Sequence, residues 1–366
     1  MEGKIMKIIH VVGARPNFIK IASVLRGCSQ FPEIESILVH TGQHYDDQMS
    51  KSFFDELEIP RPDINLEVGS GSHAQQTAEI MKRFEQVVND IKPDAVLVVG
   101  DVNSTVACVL VASKLGVKTI HVEAGLRSFD RTMPEEINRI LTDSISDILF
   151  VTEPSGLQNL KNEGIESSRI HFVGNVMIDT LETFIDKSKM RPVLEHMNLQ
   201  VENYALLTLH RPSNVDDEAA FGRIIDALDH IQQHLKVVFP VHPRTYNNIN
   251  RNGLGKKLKS QTNVMLTNPL GYLDFMKLMS SARIIITDSG GIQEETTALG
   301  IPCLTIRENT ERPITITEGT NRLVGTDTER IISGFHESLA SKKVSSRPQY
   351  WDGKASQRIA QILARM

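Results

Sequence analysis

Short aliphatic and β-branched runs alternate with longer stretches whose apolar positions recur every three or four residues. The pattern predicts a buried strand over Ile5–Val12. Gly13 ends it, and Pro16 opens a helix, as proline at a first helical position does. Further buried strands are predicted at Ile37–His40, Ala95–Val99, Thr119–Val122 and Ile148–Val151. Helix-like stretches such as His73–Ile91 and Ser104–Lys114 lie between them. Strands that alternate with helices imply right-handed βαβ units and a parallel sheet.

The alternation weakens after Gly174. Asn175–Lys189 looks helical, and Arg191-Pro192 breaks it. A second series follows: Tyr204–Leu209, Val237–Val241, Asn263–Leu266, Ile284–Thr287 and Pro302–Ile306. A hinge is therefore expected near residues 175–200. The expected fold class is α/β, with two doubly wound Rossmann-like domains facing a cleft. The expected domains are residues 1–174 and 175–352. The last helix-like stretch, Lys354–Arg365, has a pattern that fits packing on either half. Ligands of doubly wound sheets sit at the carboxyl ends of the strands. The length of 366 residues agrees, at about 150 residues per domain.

Composition narrows the function classes. Forty basic against 45 acidic residues give a net charge of −5, with no dense Lys/Arg run, so a nucleic-acid face is not expected. A small anionic ligand remains open, because a few well-placed cations in a cleft suffice. Cys28, Cys108 and Cys303 lie far apart, which argues against a disulfide frame or a structural zinc site. The longest apolar run, Val106–Ala112, cannot span a bilayer, and the N-terminus has no signal-peptide pattern. A soluble, cytoplasmic protein is expected.

Polar residues collect where the strands end. Gly13-Ala14-Arg15-Pro16-Asn17-Phe18-Ile19-Lys20 joins a glycine, a helix start and two cations, which suits a phosphate; a glycine turn with a solvated Arg and Lys is the alternative. Asp101, in Gly100-Asp101-Val102-Asn103-Ser104-Thr105, suits a reactive carboxylate or a plain helix N-cap. His121 and Glu123, two apart on a strand, should point to the same side near its end. An acid buried there needs a partner, either a ligand or Arg127. Pro134-Glu135-Glu136 suits a site or an ordinary helix start. Asp101, Glu123 and Glu135 on successive loops at one sheet edge are harder to explain structurally. As like-charged neighbours, they would push one carboxyl toward exchange near neutral pH.

In the second half, His210 and His242 each stand at a strand end with an arginine close behind. Thr287-Asp288-Ser289-Gly290-Gly291-Ile292-Gln293-Glu294-Glu295 reads as a second anion cradle. An acid one turn into that helix suits two adjacent ribose hydroxyls. Arg307–Pro313 is polar and reads either as part of the site or as a surface charge run.

Together GARPNFIK, GDVNST, HVEAGLRS, PEEINR, HRP, TDSGGIQEE and RENTERP resemble the non-hydrolysing UDP-N-acetylglucosamine 2-epimerase family, in that family's order. The resemblance runs from Lys7 to about Gly325 and is closest to archaeal members. It implies a GT-B-like fold, with the C-terminal helix (residues 353–366) crossing back to the first domain. It also implies a homodimer and no cofactor or metal requirement. The implied reaction interconverts UDP-GlcNAc and UDP-ManNAc through elimination of UDP to a 2-acetamidoglucal and its re-addition. Carried over by motif, Asp101, Glu123, Glu135 and His210 are the catalytic set. Arg15, Lys20, Ser289, Gly290, Gly291, Glu295 and Arg312 hold the nucleotide.

A second UDP-GlcNAc site in bacterial members is matched by Gln43, His44, Glu136, Arg211 and His242. Its arginine is replaced by Gly69-Ser70-Gly71-Ser72-His73, and Pro212-Ser213-Asn214 stands where many bacterial members have Arg-Glu-Asn. Little sigmoidality is expected. The alternatives are an epimerase for a related sugar such as UDP-2,3-diacetamido-2,3-dideoxyglucuronate, and a GT-B glycosyltransferase.

Overall fold

The structure is a computed structural model that describes residues 5–42, 53–241, 245–246, 248–249, 254–340 and 347–366. The chain forms two compact units, residues 1–183 with 349–366, and residues 184–348. It passes from one to the other inside the helix Val176–Lys189.

The first unit holds β1 (Met6–Val12), β2 (Ile34–His40), β3 (Ile64–Asn65), β4 (Ala95–Val99), β5 (Lys118–Ala124), β6 (Ile148–Val151) and β7 (Ile170–Phe172). They form one parallel sheet in the order β3-β2-β1-β4-β5-β6-β7. Every residue of β4 is buried, as a strand covered by helices on both faces requires. Ile9, Val11, Val96 and Val98 face the helices His73–Ile91 and Asn103–Lys114 and form one core cluster with them.

The second unit holds β8 (Tyr204–Thr208), β9 (Lys236–Pro240), β10 (Val264–Thr267), β11 (Ile284–Thr287), β12 (Cys303–Thr305) and β13 (Asn321–Leu323). Its parallel order is β10-β9-β8-β11-β12-β13. In both sheets the strand order reverses beside the first strand, between β1 and β4 and between β8 and β11. These switch points are where doubly wound sheets leave a crevice for ligands. Both units thus have the doubly wound α/β architecture that the alternation predicts. The pattern misses β3, β7 and β13, because each has only two or three residues and is incompletely buried.

The helix Ala355–Leu363 belongs to the first unit and packs on the helix Arg15–Cys28. Gly27 permits the approach: a Cβ there would fall 2.7 Å from the Ser356 carbonyl. The first turn of Ala355–Leu363 has no cap from its own N-cap residue. The buried Asp179 carboxylate fills that role, accepting from the N–H of Ala355 (3.1 Å) and of Ser356 (2.7 Å) and from the Ser356 hydroxyl (2.6 Å). Trp351, also buried, donates its indole N–H to the Thr152 carbonyl at 3.1 Å. Among the described residues, no helix is long and apolar enough to cross a membrane.

Asp179→Ala removes three acceptor contacts at once and leaves buried N–H groups without them. It should cost about 1–3 kcal/mol, read as a lower denaturant midpoint. Hydrogen exchange should speed up first in residues 355–363.

Candidate active site

Three strand ends carry the polar residues of the first unit. After β1, Asn17 fixes the turn into the helix Arg15–Cys28. Its Oδ1 accepts from the Gly13 (3.3 Å) and Ala14 (3.1 Å) amides, and its Nδ2 donates to the Val99 carbonyl at 2.9 Å. The ends of β1 and β4 are thereby tied together. Gly100 follows β4 with φ +69. A Cβ there would lie 3.0 Å from Lys20 Nζ and 3.4 Å from Glu123 Oε2, so both backbone and space call for glycine.

Lys20 and Glu123 form an ion pair, and both are almost fully buried. The solvated-cation reading of Lys20 is therefore corrected. Glu123 sits at a bulge: the pairing of β5 with β6 shifts register between Val122 and Ala124, and Glu123 has φ +77. The bulge also breaks the strict alternation expected for this strand. His121 Nδ1 meets Asp143 Oδ1 at 2.6 Å and Nε2 meets the Gly100 carbonyl at 2.8 Å, whereas Glu123 takes Lys20. The expected alternative partner of Glu123, Arg127, instead binds Asp143 (2.7 Å) and Glu163 (2.7 Å). Burial alone would raise the Asp143 carboxyl. The His121 and Arg127 charges and the Gly125 N–H outweigh it and hold Asp143 below the usual carboxylate range.

Asp101 does not cap the helix Asn103–Lys114. The N-cap residue is Val102, with no side-chain cap. The Asp101 carboxylate instead meets Arg139 Nη1 at 2.5 Å, with its own side chain a quarter exposed. The Asp101 carbonyl is held by Asn138 Nδ2 at 2.9 Å. Asp101 and Glu123 thus each have a buried cation beside them. Glu135, in the first turn of the helix Pro134–Ile145, is half-buried.

Glu136 turns inward. It accepts from the Ser128 N–H (2.9 Å), the Ser128 hydroxyl (2.9 Å), the Phe129 N–H (3.0 Å) and Arg139 Nη2 (2.6 Å). Through these contacts Glu136 anchors the loop that carries Ser128 and Phe129. Arg15 is half-buried, with its guanidinium over the Phe53 ring at 5.5 Å.

In the second unit the registered pair Thr208 and Thr287 brings the next residues of β8 and β11 side by side. Asp288, fully buried, accepts from the N–H of His210 (3.0 Å) and of Arg211 (2.9 Å) and from Asn214 Nδ2 (3.1 Å). His210 Nδ1 lies 2.7 Å from Asp288 Oδ1, with the ring half-exposed. Burial would raise Asp288, but the His210 ring and the two backbone amides hold it below its ordinary value. A carboxylate on Nδ1 orients the imidazole and directs Nε2 chemistry outward.

The helix Gly290–Leu299 begins after Ser289, an extended N-cap residue whose side chain makes no cap bond. Its N-terminus therefore retains the anion preference of an uncapped helix start. A Cβ on Gly290 would fall 2.4 Å from Arg312 Nη1, so glycine lets that guanidinium approach the helix start. Arg312 Nε meets Glu294 at 2.8 Å, and Arg307 Nη1 meets Glu311 at 2.8 Å, with all four side chains buried. The surface-charge reading of residues 307–313 is thereby corrected. Glu295 is also buried and accepts from the Tyr272 hydroxyl at 3.0 Å. Desolvation, with the neighbouring Glu294 charge, pushes its carboxyl up to about 7 against the Tyr272 hydrogen bond.

Of the remaining expected residues, Ser289, Gly290 and Gly291 are partly exposed at this helix start. Arg211 Nε donates to the Asp288 carbonyl at 2.9 Å. Gln43, His44 and His242 lie outside the described residues. Sequence reasoning missed the roles of Lys20 and Arg139 as carboxylate partners, and of Asp143, Asp288 and Tyr272. Helical spacing held one signal: Glu136, Arg139 and Asp143 share one face.

The family model for UDP-N-acetylglucosamine 2-epimerase matches residues 26–364. A Methanococcus maripaludis protein named as a UDP-N-acetylglucosamine 2-epimerase homolog is 46% identical, over 98% of this chain and 99% of its own. The UDP-2,3-diacetamido-2,3-dideoxy-D-glucuronate 2-epimerase of Pseudomonas aeruginosa is 43% identical, over 99% of this chain and 100% of its own. The crystal structure of Methanocaldococcus jannaschii UDP-GlcNAc 2-epimerase, in complex with UDP-GlcNAc and UDP, has 41% identity and a TM-score of 0.93. That likeness covers 99% of this chain and 100% of the other. Motifs, two doubly wound sheets and full-length likeness agree: this chain is an isomerase belonging to the UDP-N-acetylglucosamine 2-epimerase family.

Proposed function

We propose that this enzyme epimerises C2 of UDP-N-acetylglucosamine reversibly, giving UDP-N-acetylmannosamine, by eliminating UDP and adding it back. The observation that carries the reading is the pairing of two site carboxylates with buried cations at one sheet edge, Glu123 with Lys20 and Asp101 with Arg139. Such pairing fixes where the carboxylates point, so that they can take or return a proton at one position.

The C2 proton of the sugar is not acidic. Its removal by a carboxylate becomes feasible when the C1–O bond breaks in the same process and the electron pair departs with UDP. The 2-acetamidoglucal that forms is then protonated at C2 from the other face, and a UDP oxygen adds back to C1. Electrons and atoms balance with no net oxidation. Glu123, Asp101 and Glu135 are the proton-handling groups. His210, oriented by Asp288, and the start of the helix Gly290–Leu299, with Arg312 behind it, stabilise the departing diphosphate. Arg15 adds charge, Glu295 holds the ribose, and Lys20 acts through Glu123.

A second reading is favoured by one observation. The Pseudomonas aeruginosa enzyme for a diacetamido-glucuronate is as similar to this chain as are relatives named for UDP-GlcNAc. Both nucleotide sugars should therefore be offered and the products followed by NMR. A C2-inverted product from UDP-GlcNAc supports the first reading. Turnover of the diacetamido sugar alone replaces it with the second.

Asp101→Asn, Glu123→Gln and Glu135→Gln should each lower turnover at least ~10²-fold, the usual size of a positioned acid or base effect. Calorimetric UDP affinity should stay within about threefold, since a carboxamide leaves the diphosphate contacts in place. A variant with near-normal turnover removes that residue from the catalytic set.

The Glu295 carboxyl should make nucleotide affinity depend on pH. The carboxylate accepts ribose hydroxyls and the protonated acid accepts them less well. With a value near 7, UDP affinity should rise up to about tenfold between about pH 6 and pH 8. Glu295→Gln should remove that part of the pH dependence. An identical pH profile in the variant contradicts the ribose assignment.

A further inference from the structure

Away from the strand ends, the second unit gathers three histidines on its surface. His230 stands in the last turn of the helix Glu218–Ile231, His234 follows in the turn beyond it, and His336 lies in the helix Thr328–Ala340. One ring nitrogen from each lies within 4.8 Å of the other two. His230 Nε2 and His336 Nε2 approach to 2.9 Å. Ring centroids are 5.1 Å apart for His230 with His234, 5.1 Å for His230 with His336, and 5.2 Å for His234 with His336. Among the described residues this is the one group of metal-ligand type that converges in this way.

We propose that these three histidines bind a divalent transition-metal ion of the zinc, nickel or copper class, with solvent completing its coordination. The ligand chemistry fits: neutral imidazole is the ligand these ions share. At a metal–nitrogen distance of about 2.0–2.1 Å, the 2.9 Å separation subtends an angle near 90° at the ion. That is a cis angle of an octahedral or square-based site. A few tenths of an ångström of opening reaches the tetrahedral angle that zinc prefers.

The backbone adds a second reason. The helix Glu218–Ile231 ends at the cluster, and the negative end of its dipole favours a cation there. The turn that brings His234 back is fixed by the main chain: Gln233 N–H donates to the His230 carbonyl (3.1 Å) and His234 N–H to the Ile231 carbonyl (3.0 Å). Phe335 closes one side, its ring 6.0 Å from His234 and 5.3 Å from His336. The ion joins two helices that already pack on each other, so it ties them together. The site takes no part in the epimerisation proposed above, and its test does not depend on that reading.

The test uses the full chain without a histidine tag, stripped with a chelator and desalted. Calorimetric titration with Zn²⁺, Ni²⁺ and Cu²⁺ should give one ion per chain, with Cu²⁺ bound more tightly than Ni²⁺. Co²⁺ should give a visible ligand-field spectrum. His336→Ala and His234→Ala should each weaken binding at least tenfold. Metal should raise the melting temperature of the parent protein and leave that of both variants unchanged. The three rings lie on the surface, so circular dichroism should find both variants folded. Absence of binding in the parent protein, or equal affinity in folded variants, overturns the site.

Discussion

Charge neutralisation at the carboxyl edge of the sheets is the constraint on which the rest depends. Glu123 and Lys20 are both taken out of water. An isolated charge in such a place is expensive, and removing one member of a buried pair costs about 3–5 kcal/mol. The surrounding sequence is shaped by this need. Glycine at position 100 leaves room for both groups. Asn17 ties the loops after β1 and β4 so that Lys20 and Glu123 meet. The bulge at Glu123 re-aims its carboxylate. The same arrangement recurs at Asp101 and Arg139, and behind both lies the His121–Asp143–Arg127 network, which clamps the Gly100 carbonyl.

The second unit meets the constraint differently. Asp288 is stabilised by two backbone amides, an asparagine and a histidine, so the buried acid orients His210. The arginines of residues 307–312 are held by Glu294 and Glu311 rather than solvated. Glu295 is the exception. Its neighbours are a phenol and a second acid, and burial raises its carboxyl to about 7, so that it is half ionised around pH 7. A group poised in this way favours its ionised form when hydroxyl donors arrive.

Much of this was legible in the sequence. Parallel strands are buried on both faces, so Ala95–Val99 and Ile284–Thr287 stand out as apolar runs, and the residues after them mark the sites. The motif resemblance then supplied the family. The partners of the acids were not legible. Lys20 reads as a phosphate cation or a solvated one, because nothing local to GARPNFIK shows that a residue a hundred positions later needs it. The bulge at Glu123 left no mark in a strand that otherwise alternates regularly. Asp288 could have been found, since it follows β11 directly as His210 nearly follows β8, but only once those two strands are known to pair. The histidine cluster joins two helices a hundred residues apart, so no sequence spacing announces it.

In the proposed reaction, paired carboxylates remove and replace the C2 proton as UDP departs and returns. Incubation of the enzyme with UDP-GlcNAc in D₂O, followed by proton NMR of the sugar, tests it most directly. The proposed elimination should carry deuterium into C2 of both the starting sugar and the epimeric product as equilibrium is approached. Equilibration with full retention of protium at C2 would contradict it.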